Sequence, residues 1–232
     1  MLAKQLSHIL TELCRSSDVT TDTLADMDLR FDSLRSYGRL PRERENRGRA
    51  LTNEQIAAAV LGLVAAQPRW AGHVATIIAK LKPVGANTDT FGGAVTLTDA
   101  LSQLLSDKSV RGSVVAVRVS VAEAGTNSHG LAVITYEREA ARRQLSFVRE
   151  EAVSLLQPGA ETKFDPELRN APISRELVFN RRFFERLAQA IDEARAHPTP
   201  PTGNGSEYDK DDAERARRER LGATPSSQFL NI

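Results

Sequence analysis

Arginine is concentrated in one short segment of this 232-residue chain. Seven arginines occur within twenty residues, accompanied by only three acidic residues, Asp32, Glu43 and Glu45. Arginine side chains neutralise phosphates, so a local excess of arginine beside a helix is typical of contact with a nucleic-acid backbone. The candidate DNA-binding residues are Arg30, Arg35, Arg39, Arg42, Arg44, Arg47 and Arg49.

Other residue types that carry chemistry form no recognisable pattern. The four histidines do not occur in His-x-x-x-His or His-x-x-Glu spacing, so no metal site is predicted. The single cysteine, Cys14, excludes an internal disulfide and a cysteine-based metal cluster. The sequence also lacks a Gly-x-Ser-x-Gly nucleophile motif and a complete phosphate-binding loop. We therefore expect no catalytic residues, no metal and no cofactor, and we predict that the protein is not an enzyme.

Helix signals precede and overlap the arginine-rich segment. Regularly spaced leucine and isoleucine residues predict an amphipathic helix over 2–16, and a second helix is predicted over 21–37. Gly38 is a suitable C-terminal stop for this helix, and Pro41 prevents any continuation. Residues 42–50 are polar, and we expect them to form a loop.

A third helix is predicted after this loop. Thr52-Asn53-Glu54-Gln55 has the form of a capping box, so the helix is expected over 52–66. Two short helices followed by a basic loop match a winged helix-turn-helix, whose second helix enters the major groove while the wing contacts the backbone. Arg30 and Arg35 are then expected on the exposed side of the second helix. The wing would contain Arg42, Arg44, Arg47 and Arg49.

The same segment resembles the DNA-binding module of MerR-type transcriptional regulators. The matching pattern is Phe31-x-x-Leu34-x-x-x-Gly38-x-Leu40-Pro41-x-x-Arg44, followed by Gly48-Arg49-x-Leu51-Thr52-x-Glu54-x-Ile56. The resemblance covers about residues 5–66. It implies a homodimeric transcriptional regulator that binds double-stranded DNA. Two features depart from the family. Asp32 stands where the family usually carries an arginine facing DNA, and the long dimerising coiled coil is not visible in the sequence.

The remainder of the chain changes from helical to β-type patterning. A valine-rich segment predicts a strand from residue 114, followed by a turn and a returning strand. Residues 144–148 are predicted as a third strand, with a helix through 138–156 as the alternative. The returning strand is expected over 131–136, and the remaining expected elements are helices over 70–81, 96–106 and 181–195 and a strand over 176–179.

These elements predict an α+β protein with a mostly helical N-terminal half that carries the winged helix-turn-helix. The C-terminal half is expected to contain a small antiparallel sheet with a helix, followed by a disordered tail. The predicted domains are a helical DNA-binding-like domain over 1–84, an α+β domain over 85–195 and the tail over 196–232. The tail is rich in proline, glycine and charge, and it ends in the apolar segment Phe229–Ile232, a candidate docking peptide.

Composition and charge leave two functional hypotheses. The net charge of +1 gives no global attraction to nucleic acid or membrane, and no apolar run is long enough to span a bilayer, so we expect a cytoplasmic protein without a membrane partner. The first hypothesis is a DNA-binding protein, a transcriptional regulator. The alternative is an interaction or scaffold protein that docks through its C-terminal tail. This alternative has no nucleic-acid role, and the arginine-rich segment is then a solvated loop whose arginines pair with nearby acids. A protein or RNA partner for the segment is the remaining interpretation.

Overall fold

The computed structural model describes residues 1–16, 23–42, 50–84, 91, 93–122, 129–150 and 175–196, and residues Met1–Pro198 form one compact unit. The α+β class predicted from the sequence is confirmed, with seven α-helices and five strands among the described residues. The helices are α1 (Ala3–Arg15), α2 (Leu24–Ser36), α3 (Asn53–Gly62), α4 (Ala71–Ala79), α5 (Leu97–Ser106), α6 (Lys108–Ser113) and α7 (Arg181–Ala196). The strands are β1 (Lys82–Pro83), β2 (Val114–Ala122), β3 (His129–Arg138), β4 (Ala141–Val148) and β5 (Arg175–Asn180).

The five strands form one antiparallel sheet in the order β1-β4-β3-β2-β5. Residues 141–148 form a strand, so the sheet alternative is confirmed for this part of the 138–156 region. The turn between β3 and β4 consists of Glu139 and Ala140, both with positive φ, which suits the twist of a two-residue hairpin. Neither residue is a glycine or asparagine, so the turn carried no strong signal in the sequence.

Threonine residues cap the starts of three helices, and the cap at Thr52 was predicted from the sequence. The side-chain oxygen of Thr52 accepts a hydrogen bond from the backbone N–H of Gln55, and the Gln55 side chain accepts one from the Thr52 N–H. The side-chain oxygens of Thr23 and Thr96 likewise accept a hydrogen bond from the backbone N–H three residues later, and they cap α2 and α5. The short α6 was not predicted, because its six residues contain a glycine and no apolar repeat.

The core contains residues from both sides of the predicted boundary between residues 84 and 85. Helix α3 lies at its centre, and every residue from Ile56 to Gly62 is buried. Leu104 of α5, Val117 of β2 and Phe184 of α7 belong to the same hydrophobic cluster as α3. The helices and the sheet therefore share one core, which gives α2 and α4 a fixed support. None of the described helices is long and apolar enough to cross a membrane.

Candidate functional site

Arg30 lies inside the protein, which corrects its predicted position on the exposed side of α2. Its side chain is only 1% exposed, and Nη1 donates hydrogen bonds to the backbone oxygens of Gly62 at 3.1 Å and Ala65 at 2.9 Å. Helix α3 ends at Gly62, where backbone carbonyls lack intrahelical partners and carry partial negative charge. Arg30 therefore caps the C-terminal end of α3 and is not accessible to DNA.

Arg35 and Arg39 lie partly buried against the protein surface. The Nη1 atom of Arg35 lies 2.7 Å from a carboxylate oxygen of Asp32, one helical turn earlier. The Nε atom of Arg39 donates to the side-chain oxygen of Thr76 on α4 at 3.0 Å. Both guanidinium groups are thus engaged with the protein itself, and Arg39 joins the end of α2 to α4.

The exposed face of α2 does not suit a DNA recognition helix. Asp28, Leu29 and Asp32 are exposed on this helix. Asp28 accepts a hydrogen bond from the Ser7 hydroxyl at 2.8 Å, so it links α2 to α1. Carboxylates on this face would repel phosphates, and the arginine expected beside them is buried. The described residues therefore favour a supporting role for α2 over direct contact with bases.

Helix α2 ends in a left-handed turn that directs the chain toward the arginine-rich segment. Gly38 has a φ of +68°, a conformation that glycine adopts without steric cost because it has no Cβ atom. The Gly38 N–H donates to the Arg35 carbonyl, and the Arg39 N–H donates to the Leu34 carbonyl. This pair of bonds is a Schellman motif, so the predicted helix stop at Gly38 is confirmed.

The stretch of chain between α2 and α3 is anchored on both sides by a buried leucine. Leu40 and Leu51 are both buried, and the Leu51 N–H donates to the Met1 carbonyl at 3.0 Å. Between them, Arg42 and Ala50 are exposed. Arg44, Arg47 and Arg49 lie outside the described residues.

A cluster of aromatic residues near the end of α2 was not anticipated from the sequence. We call Tyr37, Trp70, His73 and the neighbouring Arg69 the aromatic cluster. The ring centroids of Tyr37 and His73 are 5.9 Å apart, and those of Trp70 and His73 are also 5.9 Å apart. The Arg69 guanidinium carbon lies 5.8 Å from the Trp70 ring centroid. A single tryptophan next to proline and arginine was the available signal in the sequence.

Close contact between α2 and α4 positions this cluster. The Ser33 hydroxyl donates to the Arg69 carbonyl at 2.7 Å and accepts a bond from the Gly72 N–H at 2.9 Å. A Cβ atom at Gly72 would clash with the Ser33 carbonyl and would lie 2.7 Å from Cδ2 of Tyr37. Glycine at position 72 is therefore required for the two helices to approach so closely.

A second surface feature is a groove beside β5, which is an edge strand of the described sheet. The groove has a volume of about 440 Å³ and is lined by the end of α1, by Leu63, by β5 and by the first turns of α7. Val178 on β5 is 50% exposed, and Arg182 and Arg186 contribute basic groups. The groove thus combines apolar surface with positive charge.

Among the described residues, no three histidine, cysteine or acidic side chains are grouped so that they could hold a metal ion. Comparison with known proteins adds no relative, because no family model, no curated protein and no solved structure matches the chain. The resemblance to MerR-type regulators therefore stays a prediction from the sequence. A function can be proposed from the contacts and charges of the residues themselves.

Proposed function

We propose that this protein is a DNA-binding regulator whose arginine-rich segment between α2 and α3 contacts the phosphate backbone as a wing. The observation that carries the proposal is the attachment of this segment at buried Leu40 and Leu51, with Arg42 and Ala50 exposed between them. A basic segment held at both ends loses less conformational freedom on binding than a free tail.

The charge distribution around the segment favours an anionic partner. Residues 42–49 contain four arginines and two glutamates, a net charge of +2. The following stretch from residue 55 to residue 88 contains no acidic residue but includes Arg69, Lys80 and Lys82. Phosphate contacts of this kind position a protein on DNA without reading its sequence.

Helix α2 has a different role in this proposal from the one that the family resemblance implies. Its Arg30 caps α3, and its exposed face carries Asp28 and Asp32. We therefore assign to α2 the support of the wing and leave sequence reading to residues outside this helix. Homodimer formation on paired half-sites remains part of the proposal, because such regulators generally bind as dimers.

The test compares two triple variants that remove the same charge. Arg42→Ala/Arg44→Ala/Arg49→Ala alters the wing, whereas Arg142→Ala/Arg143→Ala/Arg182→Ala removes three arginines that are exposed elsewhere. Affinity for labelled duplex DNA is measured by fluorescence anisotropy between roughly 50 and 200 mM salt, a range over which a protein with several phosphate contacts loses affinity by orders of magnitude. In the wing variant, the slope of log K against log [salt] should become less steep by about 0.9 for each phosphate that is no longer neutralised. The control variant should keep the wild-type slope. Equal weakening in both variants, or no binding by the wild type at low salt, would contradict the proposal.

A second candidate function is protein interaction through β5. Its support is the open edge of this strand within the described sheet, together with exposed Val178 and the adjoining groove. Edge strands offer unpaired backbone groups that can pair with a strand of another chain, including a second copy of the same one. The tail that was predicted as a docking segment lies outside the described residues.

Light scattering would test this second candidate. If copies of the chain pair through β5, Val178→Asp should convert a dimer into a monomer, whereas Val95→Asp, at another exposed valine, should not. A wild-type monomer at micromolar concentration, or a dimer that both variants retain, would exclude pairing through β5.

A further inference from the structure

The aromatic cluster exposes large rings that proteins usually bury. Tyr37 is 46% exposed and Trp70 is 41% exposed, and His73 lies between them in edge-to-face contact with both. The three rings thus form a row at the surface. Exposed aromatic side chains that lie close together commonly mark a binding site.

The rings are held in place by the two helices. Tyr37 is the C-cap of α2, and His73 lies in the first turn of α4. The contacts of Ser33 with Arg69 and Gly72, and of Arg39 with Thr76, join these elements. Because the protein has already ordered the rings, a ligand that stacks on them pays little additional entropy.

The charges near the cluster suit an anionic ligand. Arg69 lies against the Trp70 ring, and no acidic residue occurs between Glu54 and Asp89. On α2, the carboxylate of Asp32 is paired with Arg35. Exposed Arg42, at the beginning of the proposed wing, follows Tyr37 by only five residues. Rings for stacking and cations for phosphates are the two components of a single-strand binding surface.

We propose that the aromatic cluster binds single-stranded nucleic acid by stacking unpaired bases on Trp70 and Tyr37. The cluster accepts bases of any sequence, because every base presents a π-face. Arg69, which lies beside the Trp70 ring, neutralises a phosphate that flanks the stacked bases. This inference rests on the proposed function for its class of ligand, DNA, and it adds a preference for unpaired over paired DNA.

Trp70 provides a direct readout because it is the only tryptophan in the chain. The full-length protein is titrated with an oligothymidine single strand and, separately, with a mixed-sequence duplex. Fluorescence of Trp70 reports stacking, whereas anisotropy of the labelled DNA reports any binding. We expect the single strand to quench Trp70 in a saturable manner and the duplex to leave its emission largely unchanged.

Variants test whether the rings themselves, and not exposed apolar side chains in general, bind the single strand. Trp70→Ala and Tyr37→Ala should each weaken oligothymidine binding by about 5- to 150-fold, the loss expected for one stacked base. Trp70→Phe should retain most of the affinity because it retains a ring. The matched control is Leu29→Ala, which truncates another exposed apolar side chain on α2. Thermal melting of each variant shows whether it is folded.

The outcomes distinguish this inference from the proposed wing. Oligothymidine binding without quenching, or with equal affinity in Trp70→Ala and the wild type, overturns the stacking site and leaves the wing intact. Single-strand binding with quenching but without duplex affinity supports the stacking site and overturns the duplex wing. If Trp70→Ala alters only the molecular mass measured by light scattering, the rings belong to a protein interface and the inference is wrong.

Discussion

Arg30 and Arg42 are the same residue type within one short segment, yet they occupy opposite environments. Arg30 is buried and bonded to the carbonyls of Gly62 and Ala65, whereas Arg42 is exposed at the start of the proposed wing. The difference arises because α2 packs against the end of α3, which presents carbonyls to one arginine only. A count of local charge therefore overstates the number of arginines available to a ligand.

The largest expected effect is at Arg30. Arg30→Met keeps much of the side-chain volume but leaves two buried carbonyls without their donor, so we expect a loss of about 2–4 kcal/mol in the free energy of unfolding. Urea denaturation would measure it. A loss below about 0.5 kcal/mol, the range typical of surface positions, would show that the cap contributes little.

A somewhat smaller effect is expected where α2 meets α4. Gly72→Ala places a methyl group against the Ser33 carbonyl and the Tyr37 ring, and overpacking of this kind costs about 1–3 kcal/mol. Trp70 emission should shift as well, because the helices that hold the aromatic cluster must separate. Gly112→Ala is the matched control, since an added Cβ there has no atom within 4 Å. If Gly112→Ala destabilises the protein as much as Gly72→Ala, the close contact is not the cause.

The loss of stability expected for a change at Arg39 lies between those expected at Arg30 and at Arg42. Its hydrogen bond to the Thr76 side chain is partly buried, so Arg39→Ala should cost about 1 kcal/mol of stability. Thr76→Val removes this acceptor together with the hydrogen bond that the Thr76 hydroxyl donates to the Gly72 carbonyl, so its loss in chemical denaturation should be at least as large. The double variant should lose less than the sum of the two single losses if this bond is the shared interaction.

The smallest effect on stability is expected at Arg42. Because this side chain is exposed, Arg42→Ala should change the free energy of unfolding by no more than about 0.5 kcal/mol. The affinity of this variant for duplex DNA should nevertheless fall, and the slope of log K against log [salt] should become less steep by about 0.9. Reduced stability with unchanged affinity would reverse the proposed contrast between Arg30 and Arg42.

Much of the fold could be predicted because its signals are local. The apolar repeat of α1, the capping box at Thr52 and the stop at Gly38 each depend on residues a few positions apart. The valine-rich strand β2 was recognisable for the same reason. The 138–156 region was ambiguous because its hairpin turn, Glu139-Ala140, lacks the usual turn residues.

The candidate site was less predictable, since its contacts join distant parts of the chain. Helix α2 buries Arg30 and Ser33 beside Phe31 and Leu34, so its polar residues do not mark the solvent side. Arg30 bonds to carbonyls 32 and 35 residues later in the chain. Tyr37 meets His73 through a helix contact that depends on Gly72. The partners in these contacts lie more than thirty residues apart, so patterns of neighbouring residues do not predict them.

The sequence by itself determined six of the seven described helices, the cap at Thr52, the strands β2, β3 and β5 and the position of the arginine-rich segment, because these follow from backbone propensity and short-range hydrogen bonding. Only the tertiary structure decided that Arg30 is a structural cap, that Arg39 binds Thr76 and that three aromatic rings meet at the surface. The physical reason is that a side chain takes its role from the groups that folding brings to it. For Arg30 and Arg39, those groups are a backbone carbonyl of α3 and a hydroxyl of α4, which lie more than thirty residues later in the chain.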